Sequence, residues 1–282
     1  MSIDLHCHSR ISDGSLGVDE LLSIARRRRL TAISITDHDA VVGSTRAVIL
    51  GKRMGIEVIP GVEFSTRDNA RGNKAHLLGY LCDSPDRLEG LCRRINLSRR
   101  AAANEMIRKV LRYYPIVPES ITRCASGSTT IYKQHIMHAL MDAGHADSIY
   151  GAVYDKLFSP ESGCAYVPVE YPEVREAAQL IRSAGGLVVL AHPAAYHNEA
   201  LMEELTAEGL LDGVEVWHPD HTAEDAARLA AFAAAHGLLT TGGSDFHGMY
   251  SRTARPLGNS DVPENIPQKM RTYKSRRNTS AG

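Results

Sequence analysis

Two histidines near the start of the chain have the spacing of a chelating pair. The opening residues Ile3-Asp4-Leu5-His6-Cys7-His8 have the apolar character of a short strand. Because successive side chains of a strand point to opposite faces, His6 and His8 share a face and Cys7 points away. Asp13 follows the strand end and could reach back toward a neighbouring ion. An H-x-H pair alone is weak evidence for a metal site, and the alternative is a polar strand end.

Further strand-like segments end in histidine or carboxylate side chains. These candidates are His38, Glu63, His192, Asp245 and His247, and His76 lies near the start of another strand. A lone histidine such as His76 is ordinarily structural, and its place in this series makes it a candidate. Imidazole and carboxylate ligands suit borderline divalent ions such as Zn²⁺, Mn²⁺ or Fe²⁺. Together with His6, His8 and Asp13 they are too many for one ion, so we expect two or three.

The candidate ligands lie along apolar strands that alternate with helices. Strands are predicted at 3–8, 32–39, 56–65, 75–80, 187–193, 213–219 and 238–247. Continuous apolar strands alternating with helices predict a parallel sheet covered by helices. Ligand residues at strand ends predict a site at the C-terminal face of a barrel. About seven such strands favour a closed, irregular α/β barrel of the (β/α)7 type over an open doubly wound sheet.

The alternation is interrupted between residues 83 and 164. This segment contains a long arginine-rich helix, predicted at 88–111, and shorter helices at 131–143 and 149–158. We therefore divide the chain into a first barrel part (1–82), a helical insertion that covers the site (83–164) and a second barrel part (165–282). The basic stretch 269–277 near the C-terminus is interpreted as a loose end rather than a binding arm.

Composition narrows the choice of partners and compartment. A net charge of −1 leaves no global field that would attract nucleic acid or an anionic membrane. No basic patch is interleaved with aromatic residues, which argues against long nucleic acid as a partner. The chain has no apolar run long enough to span a bilayer and no secretory signal pattern, so no membrane partner is expected. Five scattered cysteines without a C-x-x-C motif predict reduced thiols and a cytoplasmic location.

Seven motifs occur in one order along the chain. They are H-C-H, S-D-G, I-T-D-H-D, P-G-V-E-F-S, A-H-L-L-G-Y, L-A-H-P and G-G-S-D-F-H-G. In this order they resemble the PHP (polymerase and histidinol phosphatase) family of metal-dependent phosphoesterases. The resemblance implies a distorted (β/α)7 barrel with three metals. It divides the candidates into three sets: His6, His8, Glu63 and Asp245; Glu63, His76 and His192; and Asp13, His38 and His247.

The resemblance also implies a mechanism. Two ions that share a water lower its pKa, and the resulting bridging hydroxide attacks phosphorus in line while the third ion neutralises phosphate oxygens. His218, with His221 behind it, is the candidate acid for the leaving oxygen. The alternative is a histidine that only donates a hydrogen bond at the barrel mouth. Asp37 and Asp39 flank His38 and either orient it or cap the following helix.

Substrate contacts are expected from the helical insertion. The segment 130–136 resembles a helix start of the family that usually reads R-P-H-I, with Lys133 in place of the arginine and His135 retained. A helix N-terminus with these side chains suits a phosphate, although lysine lacks the bidentate fork of arginine. Arg99 and Arg100 either add charge to the site or lie on the surface. The same alternatives hold for Arg252 and Arg255.

These features predict an enzyme that hydrolyses a phosphate ester of a small metabolite. The resemblance suggests a nucleotide, either a 3′,5′-bisphosphate or a monophosphate. The same centre would serve a phosphodiesterase that acts on a small cyclic phosphate or on a short RNA end. A non-catalytic metal-binding scaffold is the alternative from another class, but such a module would be expected to lack ligands. Hydrolysis of a C–N bond on a related barrel is a further alternative.

Overall fold

A computed structural model describes residues 2–258 and 261–280 of the chain, and eight strands occur in them. The strands are β1 (Ser2–Cys7), β2 (Leu30–Ile35), β3 (Glu57–Val58), β4 (Gly61–Arg67), β5 (Lys74–Tyr80), β6 (Leu187–Leu190), β7 (Gly213–Trp217) and β8 (Leu239–Gly242). The helices are α1 (Val18–Arg27), α2 (Val42–Met54), α3 (Glu89–Val110), α4 (Pro118–Cys124), α5 (Lys133–Asp142), α6 (Ala152–Phe158), α7 (Val174–Ser183), α8 (Glu199–Ala207), α9 (Ala223–Ala235) and α10 (Ile266–Ser280).

The strands form two sheets rather than one continuous barrel. One sheet has the parallel order β1-β2-β3, and the other has the order β4-β5-β6-β7-β8. The predicted third strand is divided at Pro60, whose ring nitrogen has no proton to donate to a strand partner. The two sheets are connected by isolated β-bridges, one between His38 and Glu63 and one between Cys7 and Phe246. The α/β class is confirmed, whereas strand pairing in the described residues does not confirm a closed (β/α)7 barrel.

One hairpin reverses the strand direction within the larger sheet. β5 runs antiparallel to both β4 and β6, while β6, β7 and β8 are parallel. The connection between Arg67 and Lys74 is too short for a crossover helix, so the two strands it joins must be antiparallel. As a result, the first residues of β5 lie at the same sheet edge as the last residues of β6.

The hydrophobic core has an inner and an outer layer. The inner layer combines apolar side chains of both sheets, among them Leu5, Ile59 and Val189. The outer layer packs the other face of the larger sheet against helices α3, α7, α8 and α9. The hydroxyl of Tyr80 donates a hydrogen bond of 2.6 Å to the carbonyl oxygen of Leu5, which links the sheets. The two sheets thus enclose one interior and open at the edge where the polar strand ends meet.

The helices α3 to α6 have an apolar cluster of their own. Buried side chains of this cluster include Met106, Ile136, Leu140 and Phe158. Tyr250, from the segment after β8, packs into the same cluster. None of the helices in the described ranges has both the length and the apolar character needed to cross a membrane.

The basic C-terminal stretch is part of a packed helix. Ile266 and Met270 of α10 are buried in the inner-layer core. Lys274 pairs with Asp83 at 2.7 Å, and Arg277 pairs with Asp212 at 2.8 Å. The interpretation of 269–277 as a loose end is therefore wrong. Lys274 and Arg277 pair with residues that flank β5 and β7, while the apolar anchors of the helix lie just before and within the stretch.

Candidate metal centre

All nine predicted ligand residues meet at one edge of the sheets. Their side chains lie at or just beyond the C-terminal ends of β1, β2, β6 and β8, within β4, and near the start of β5. His6 and His8 point to the same side, and the Nε2 atom of each lies 3.2 Å from Glu63 Oε2. Cys7 points away and donates its thiol proton to the carbonyl oxygen of Ser34. The strand alternation expected from the sequence accounts for this arrangement.

His76 reaches the same edge because β5 is antiparallel. The residue is near the start of β5, opposite Ser65 of β4. Its carbonyl oxygen accepts a hydrogen bond of 3.0 Å from the backbone N–H of Ala191, the residue before His192. In a parallel strand, a residue at this position would lie at the opposite edge of the sheet. The hairpin thus explains how a strand start and several strand ends contribute to one site.

Glu63 lies at the centre of the cluster. Its Oε2 atom is 3.2 Å from nitrogens of His6, His8 and His38. Its Oε1 atom is 2.9 Å from Nδ1 of His76 and 3.0 Å from Nε2 of His192. The two oxygens of one carboxylate therefore face two different sets of imidazoles. This is the arrangement that a carboxylate shared between two ions requires.

Two other carboxylates complete the cluster. Asp245 Oδ1 lies 3.2 Å from His8 Nε2 and 3.5 Å from His6 Nε2. On the far side of His8, Asp13 Oδ1 is 3.3 Å from His247 Nε2 and 3.9 Å from His8 Nδ1. The residues that could hold an ion together fall into overlapping groups: His8, Asp13, His38 and His247; His6, His8 and Asp245; His6, Glu63 and His192; and His38, Glu63 and His76.

The carboxylates of the cluster are held in the anionic form. Burial alone would raise the pKa of the Glu63 carboxyl, but the imidazoles of His38, His6 and His76 keep it well below its ordinary value. Burial would likewise raise the pKa of the Asp245 carboxyl, but His247 and His218 lower it. The pKa of Asp245 is therefore also well below its ordinary value. Both side chains are thus ready to bind a cation at neutral pH.

Several buried polar atoms in the cluster have no hydrogen-bond partner among the described residues. They are Nε2 of His6, both ring nitrogens of His8, Oδ1 of Asp13, Oε2 of Glu63 and Nδ1 of His192. Leaving a buried donor or acceptor without a partner costs about 1–3 kcal/mol. Nitrogen and carboxylate oxygen are the donor set of Zn²⁺, Mn²⁺ and Fe²⁺, and coordination of such ions would supply the missing partners. The residues present therefore fit a centre of more than one divalent ion.

Backbone strain coincides with the cluster. His192, Asp245 and Asp39 have φ angles of 29°, 48° and 53°, in the left-handed region that non-glycine residues rarely adopt. Each such residue costs of order 1–3 kcal/mol, and residues of this kind concentrate at functional sites.

A carboxylate that the sequence analysis missed supports two of the ligands. Glu215, in the middle of β7, lies 2.9 Å through Oε1 from Nδ1 of His6 and accepts a 2.9 Å hydrogen bond through Oε2 from the backbone N–H of His192. Burial alone would raise its pKa, but the imidazole of His6 lowers it to about 2. The signal was present in the sequence, because Glu215 is a single carboxylate between two valines of an otherwise apolar strand.

The aspartates that flank His38 hold neighbouring segments of the site rather than capping the next helix. Asp37 accepts hydrogen bonds from the backbone and hydroxyl of Ser9, at 2.7 Å each, and from the hydroxyl of Ser12 at 2.8 Å. It thereby fixes the loop that carries Asp13. The capping alternative is wrong, because α2 begins after Val41 without a side-chain cap.

Arg99 is buried next to the site. Its guanidinium pairs with Asp39 at 2.6 Å and lies 4.5 Å from the ring centre of Tyr132. The surface alternative is therefore wrong for Arg99. Arg100 does lie on the surface, where its guanidinium donates a hydrogen bond to the carbonyl oxygen of Thr129.

His218 borders the cluster. Its Nε2 atom lies 3.4 Å from Asp245 Oδ2, and its Nδ1 accepts a 3.1 Å hydrogen bond from the backbone N–H of Asp220. Because Nδ1 accepts, the proton of the neutral ring is on Nε2, the atom that faces the cluster. Burial lowers the pKa of His218, which keeps the ring neutral at pH 7. The Nδ1 atom of His221 lies 2.9 Å from the carbonyl oxygen of Val216.

The two arginines after His247 are in different surroundings. Arg255 contacts Asp245 at 2.6 Å and Asp220 at 2.5 Å, so it holds the carboxylate that faces His6 and His8. Arg252 instead lies 5.0 Å from the ring centre of Tyr150.

The N-terminus of α5 lies against the cluster. Gln134 donates a 3.2 Å hydrogen bond to Asp13 Oδ2. His135 caps the helix, because its Nδ1 accepts a 3.2 Å hydrogen bond from the backbone N–H of Tyr132, and burial lowers its pKa to about 4. The ammonium of Lys133 lies 4.7 Å from the ring centre of Tyr166, and burial, together with the charge of Lys74, lowers its pKa to about 8.

Comparison with known proteins agrees with this geometry. Residues 4–184 match the PHP domain model. The chain is 37% identical to a phosphoribosyl 1,2-cyclic phosphate 1,2-diphosphodiesterase of Eggerthella lenta over 88% of this chain and 95% of the relative. It is 30% identical to a 3′,5′-nucleoside bisphosphate phosphatase of Chromobacterium violaceum, over 87% of each chain. It is 31% identical to the 5′-3′ exoribonuclease Rnm of Escherichia coli, over 86% of this chain and 84% of the relative.

A solved structure has the same fold over nearly the whole chain. It comes from Bifidobacterium adolescentis and is assigned provisionally to the metal-dependent phosphoesterases. The TM-score is 0.86 at 28% identity, with 96% of each chain covered.

Proposed function

The chain belongs to the PHP domain family, and from that premise we propose that it hydrolyses a phosphate ester of a small metabolite at a centre of two or three divalent ions. The observation that carries the proposal is the position of Glu63, whose two oxygens face separate sets of imidazoles. A protein that binds no metal would have no need of this many convergent side chains with unpaired polar atoms.

We assign the nine clustered residues as the ligands. Glu63 would be shared between an ion held by His6, His8 and Asp245 and an ion held by His76 and His192. Asp13, His38 and His247 would hold a third ion, with Nδ1 of His8 nearby. When bound, such ions activate a water for attack on phosphorus and neutralise phosphate oxygens.

His218 is the residue we propose as proton donor to the leaving oxygen. Its Nε2 carries the proton of the neutral ring and faces the cluster. A neutral imidazole beside Asp245 can donate that proton as negative charge develops on the ester oxygen. The backbone N–H of Asp220 holds the ring in the required tautomer, and Arg255 holds both Asp220 and Asp245.

The helical segment 83–164 is proposed as the part of the chain that contacts the rest of the substrate. The support is the contact between Gln134 and Asp13, which sets the first turn of α5 against the ligands. Lys133 starts that turn and makes no ion pair within the described residues, so its charge is free for a phosphate. We propose Lys133 and the Nε2 of His135 as substrate contacts. Because the charge of Arg99 is paired with Asp39, we assign Arg99 to holding α3 rather than to the substrate.

The substrate we propose first is a small cyclic phosphate diester of a ribosyl compound. This choice rests on the relative of Eggerthella lenta, which is more similar to this chain than the bisphosphate phosphatase and the exoribonuclease are. It reverses the order that the motifs alone suggested, in which a nucleotide came first. A nucleoside 3′,5′-bisphosphate is the second candidate, and both substrates need the same ligands. The five cysteines form no disulfide, and this supports our proposal that the protein functions in a reducing, cytoplasmic compartment.

The test is a substrate panel with purified, Mn²⁺-loaded protein. The panel contains phosphoribosyl 1,2-cyclic phosphate, nucleoside 3′,5′-bisphosphates, nucleoside monophosphates, a short 5′-phosphorylated RNA and a series of amides. We expect the fastest turnover on the cyclic diester, and loss of that turnover in Asp13→Ala and His192→Ala. Fastest turnover on the bisphosphate would overturn the substrate choice but keep the activity. Turnover of the amides alone would overturn the activity as well.

A further inference from the structure

A second group of metal-binding side chains lies outside the cluster. Cys124 at the end of α4, together with His138 and Asp142 of α5, brings a thiol, an imidazole and a carboxylate to one place. We propose that these three residues form a separate binding site for a single Zn²⁺-type cation, with solvent in the fourth position. Sulfur, nitrogen and oxygen donors together suit Zn²⁺ better than Mn²⁺ or Mg²⁺.

The spacing of the three side chains is close to that of a tetrahedral site. His138 and Asp142 are four residues apart on one helix, so they lie on the same face. The distance from His138 Nε2 to Asp142 Oδ1 is 3.6 Å, and that from Cys124 Sγ to Asp142 Oδ2 is 3.9 Å. Bonds of about 2.3 Å to sulfur and about 2.0 Å to nitrogen or oxygen, at tetrahedral angles, would place ligand atoms about 3.3–3.6 Å apart. These two distances involve different oxygens of Asp142, and one donor atom from each of the three residues lies within 4.8 Å of the others. The side chains would therefore have to move closer together to bind one ion.

The imidazole of His138 is oriented by a neighbouring side chain. Its Nδ1 lies 2.8 Å from the hydroxyl oxygen of Tyr250. If Nδ1 donates its proton to that oxygen, Nε2 carries the lone pair and faces Asp142. A histidine that binds a metal through one nitrogen commonly donates the other N–H to an oxygen in this way.

The surroundings of Cys124 argue against a reactive free thiol. Burial, together with the charge of Asp142, raises the pKa of the Cys124 thiol, so the thiolate is scarce when no cation is bound. A cation at this position removes the unfavourable effect of the carboxylate and favours the thiolate as a ligand.

An ion at this site would connect the helical segment to the proposed catalytic centre. Tyr250 belongs to the turn Gly248–Tyr250, which directly follows His247. Its ring also lies 5.6 Å from that of His135 and packs in the apolar cluster of α3 to α6. By holding Cys124 of α4 against α5, the ion would fix the face of the helical segment on which Tyr250 rests.

The test uses Co²⁺ as a spectroscopic substitute for Zn²⁺. Co²⁺ is titrated into the Mn²⁺-loaded protein, and the charge-transfer absorption of a cobalt–thiolate bond is followed in the near ultraviolet. None of the nine clustered residues is a cysteine, so Co²⁺ bound there cannot produce this absorption. Cys164→Ser, which removes another partly exposed thiol, is the matched control for Cys124→Ser.

We expect the absorption in the wild type and in Cys164→Ser, and its loss in Cys124→Ser. Asp142→Asn should need at least about tenfold more Co²⁺ for the same signal, because a ligand is weakened. Absence of the absorption in the wild type, or its persistence in Cys124→Ser, would overturn the proposal. Because the readout is the thiolate bond itself, the result does not depend on phosphoesterase activity.

Discussion

The Oε1 atom of Glu215 lies 2.9 Å from Nδ1 of His6, and these residues are 209 positions apart in the chain. The other oxygen of the same carboxylate accepts a hydrogen bond from the backbone of His192. Glu215 of β7 therefore orients the imidazole of His6 on β1. It also holds the backbone of His192 in the loop after β6. This contact fixes the proton of His6 on Nδ1 and leaves the lone pair of Nε2 directed at Glu63 and Asp245.

We predict that Glu215→Gln lowers metal affinity by about 10–100-fold while the fold is retained. The amide has one accepting oxygen for two donors, and its NH₂ group would face a ring nitrogen that must donate. The measurement is a competition titration of the purified variant with a chelator. Glu224→Gln, in an exposed first turn of α9, is the control and should bind metal like the wild type. Equal affinities of the two variants would remove Glu215 from the support of the centre.

Arg99 and Arg100 are neighbours with different predicted roles. Loss of the buried partner of Asp39 leaves a carboxylate without its counter-charge, so Arg99→Ala should lower the free energy of unfolding by about 3–5 kcal/mol. Arg100→Ala should change it by less than about 0.5 kcal/mol, because the side chain is exposed. Urea unfolding of both variants is the measurement. An unchanged stability with a raised KM for Arg99→Ala would instead make Arg99 a substrate contact.

The proposed role of Lys133 predicts an alkaline limb in the pH profile. The ammonium has a pKa of about 8 and is lost as the pH rises through that value. If it binds a phosphate of the substrate, kcat/KM should fall over the same range, because this ratio reports ionisation of the free enzyme. Lys133→Arg keeps its charge and should lack this limb, whereas Lys133→Met should have a low kcat/KM throughout. An identical alkaline limb in all three proteins would assign the ionisation to another group.

The proton-donor role of His218 can be separated from a structural one. His218→Gln should lower kcat by about 10²–10⁴-fold on substrates with an alkoxide leaving group. The loss should be much smaller on a nitrophenyl phosphate ester, whose leaving oxygen needs no proton. Metal content should equal that of the wild type. A loss of the same size on both kinds of ester would indicate that His218 positions Asp245 rather than donating a proton.

The sequence was sufficient to predict which side chains meet, but not all of the contacts that hold them. His6, His8 and His38 could be identified because each lies at or just after the end of an apolar strand, and parallel strands end at one edge. His76 did not fit the rule that ligands lie at strand ends, because it lies near the start of β5. The hairpin that reverses β5 cannot be recognised from the apolar pattern. The ion pair of Asp39 with Arg99 joins residues 60 positions apart, and nothing in the local pattern around Arg99 distinguishes it from the exposed Arg100.

The same limit applies to the larger architecture. An apolar run such as that of β6 predicts a buried strand, but it does not indicate whether the edges of two sheets pair continuously. The short β3 and the proline that follows it interrupt the ladder at a point where the sequence predicted one strand. In α10, Ile266 and Met270 anchor a helix whose other residues are mostly polar, so composition alone suggested a loose tail.

We propose that the nine clustered residues form a centre of several ions on which hydrolysis of the phosphate ester depends. The most direct measurement is the number of Mn²⁺ ions per chain in the Mn²⁺-loaded protein by elemental analysis, paired with turnover, for wild type and His192→Ala. We predict about two or three ions in the wild type, fewer in the variant, and loss of turnover upon chelation with recovery upon addition of Mn²⁺. Full turnover by chelated, metal-free protein, or by His192→Ala, would contradict it.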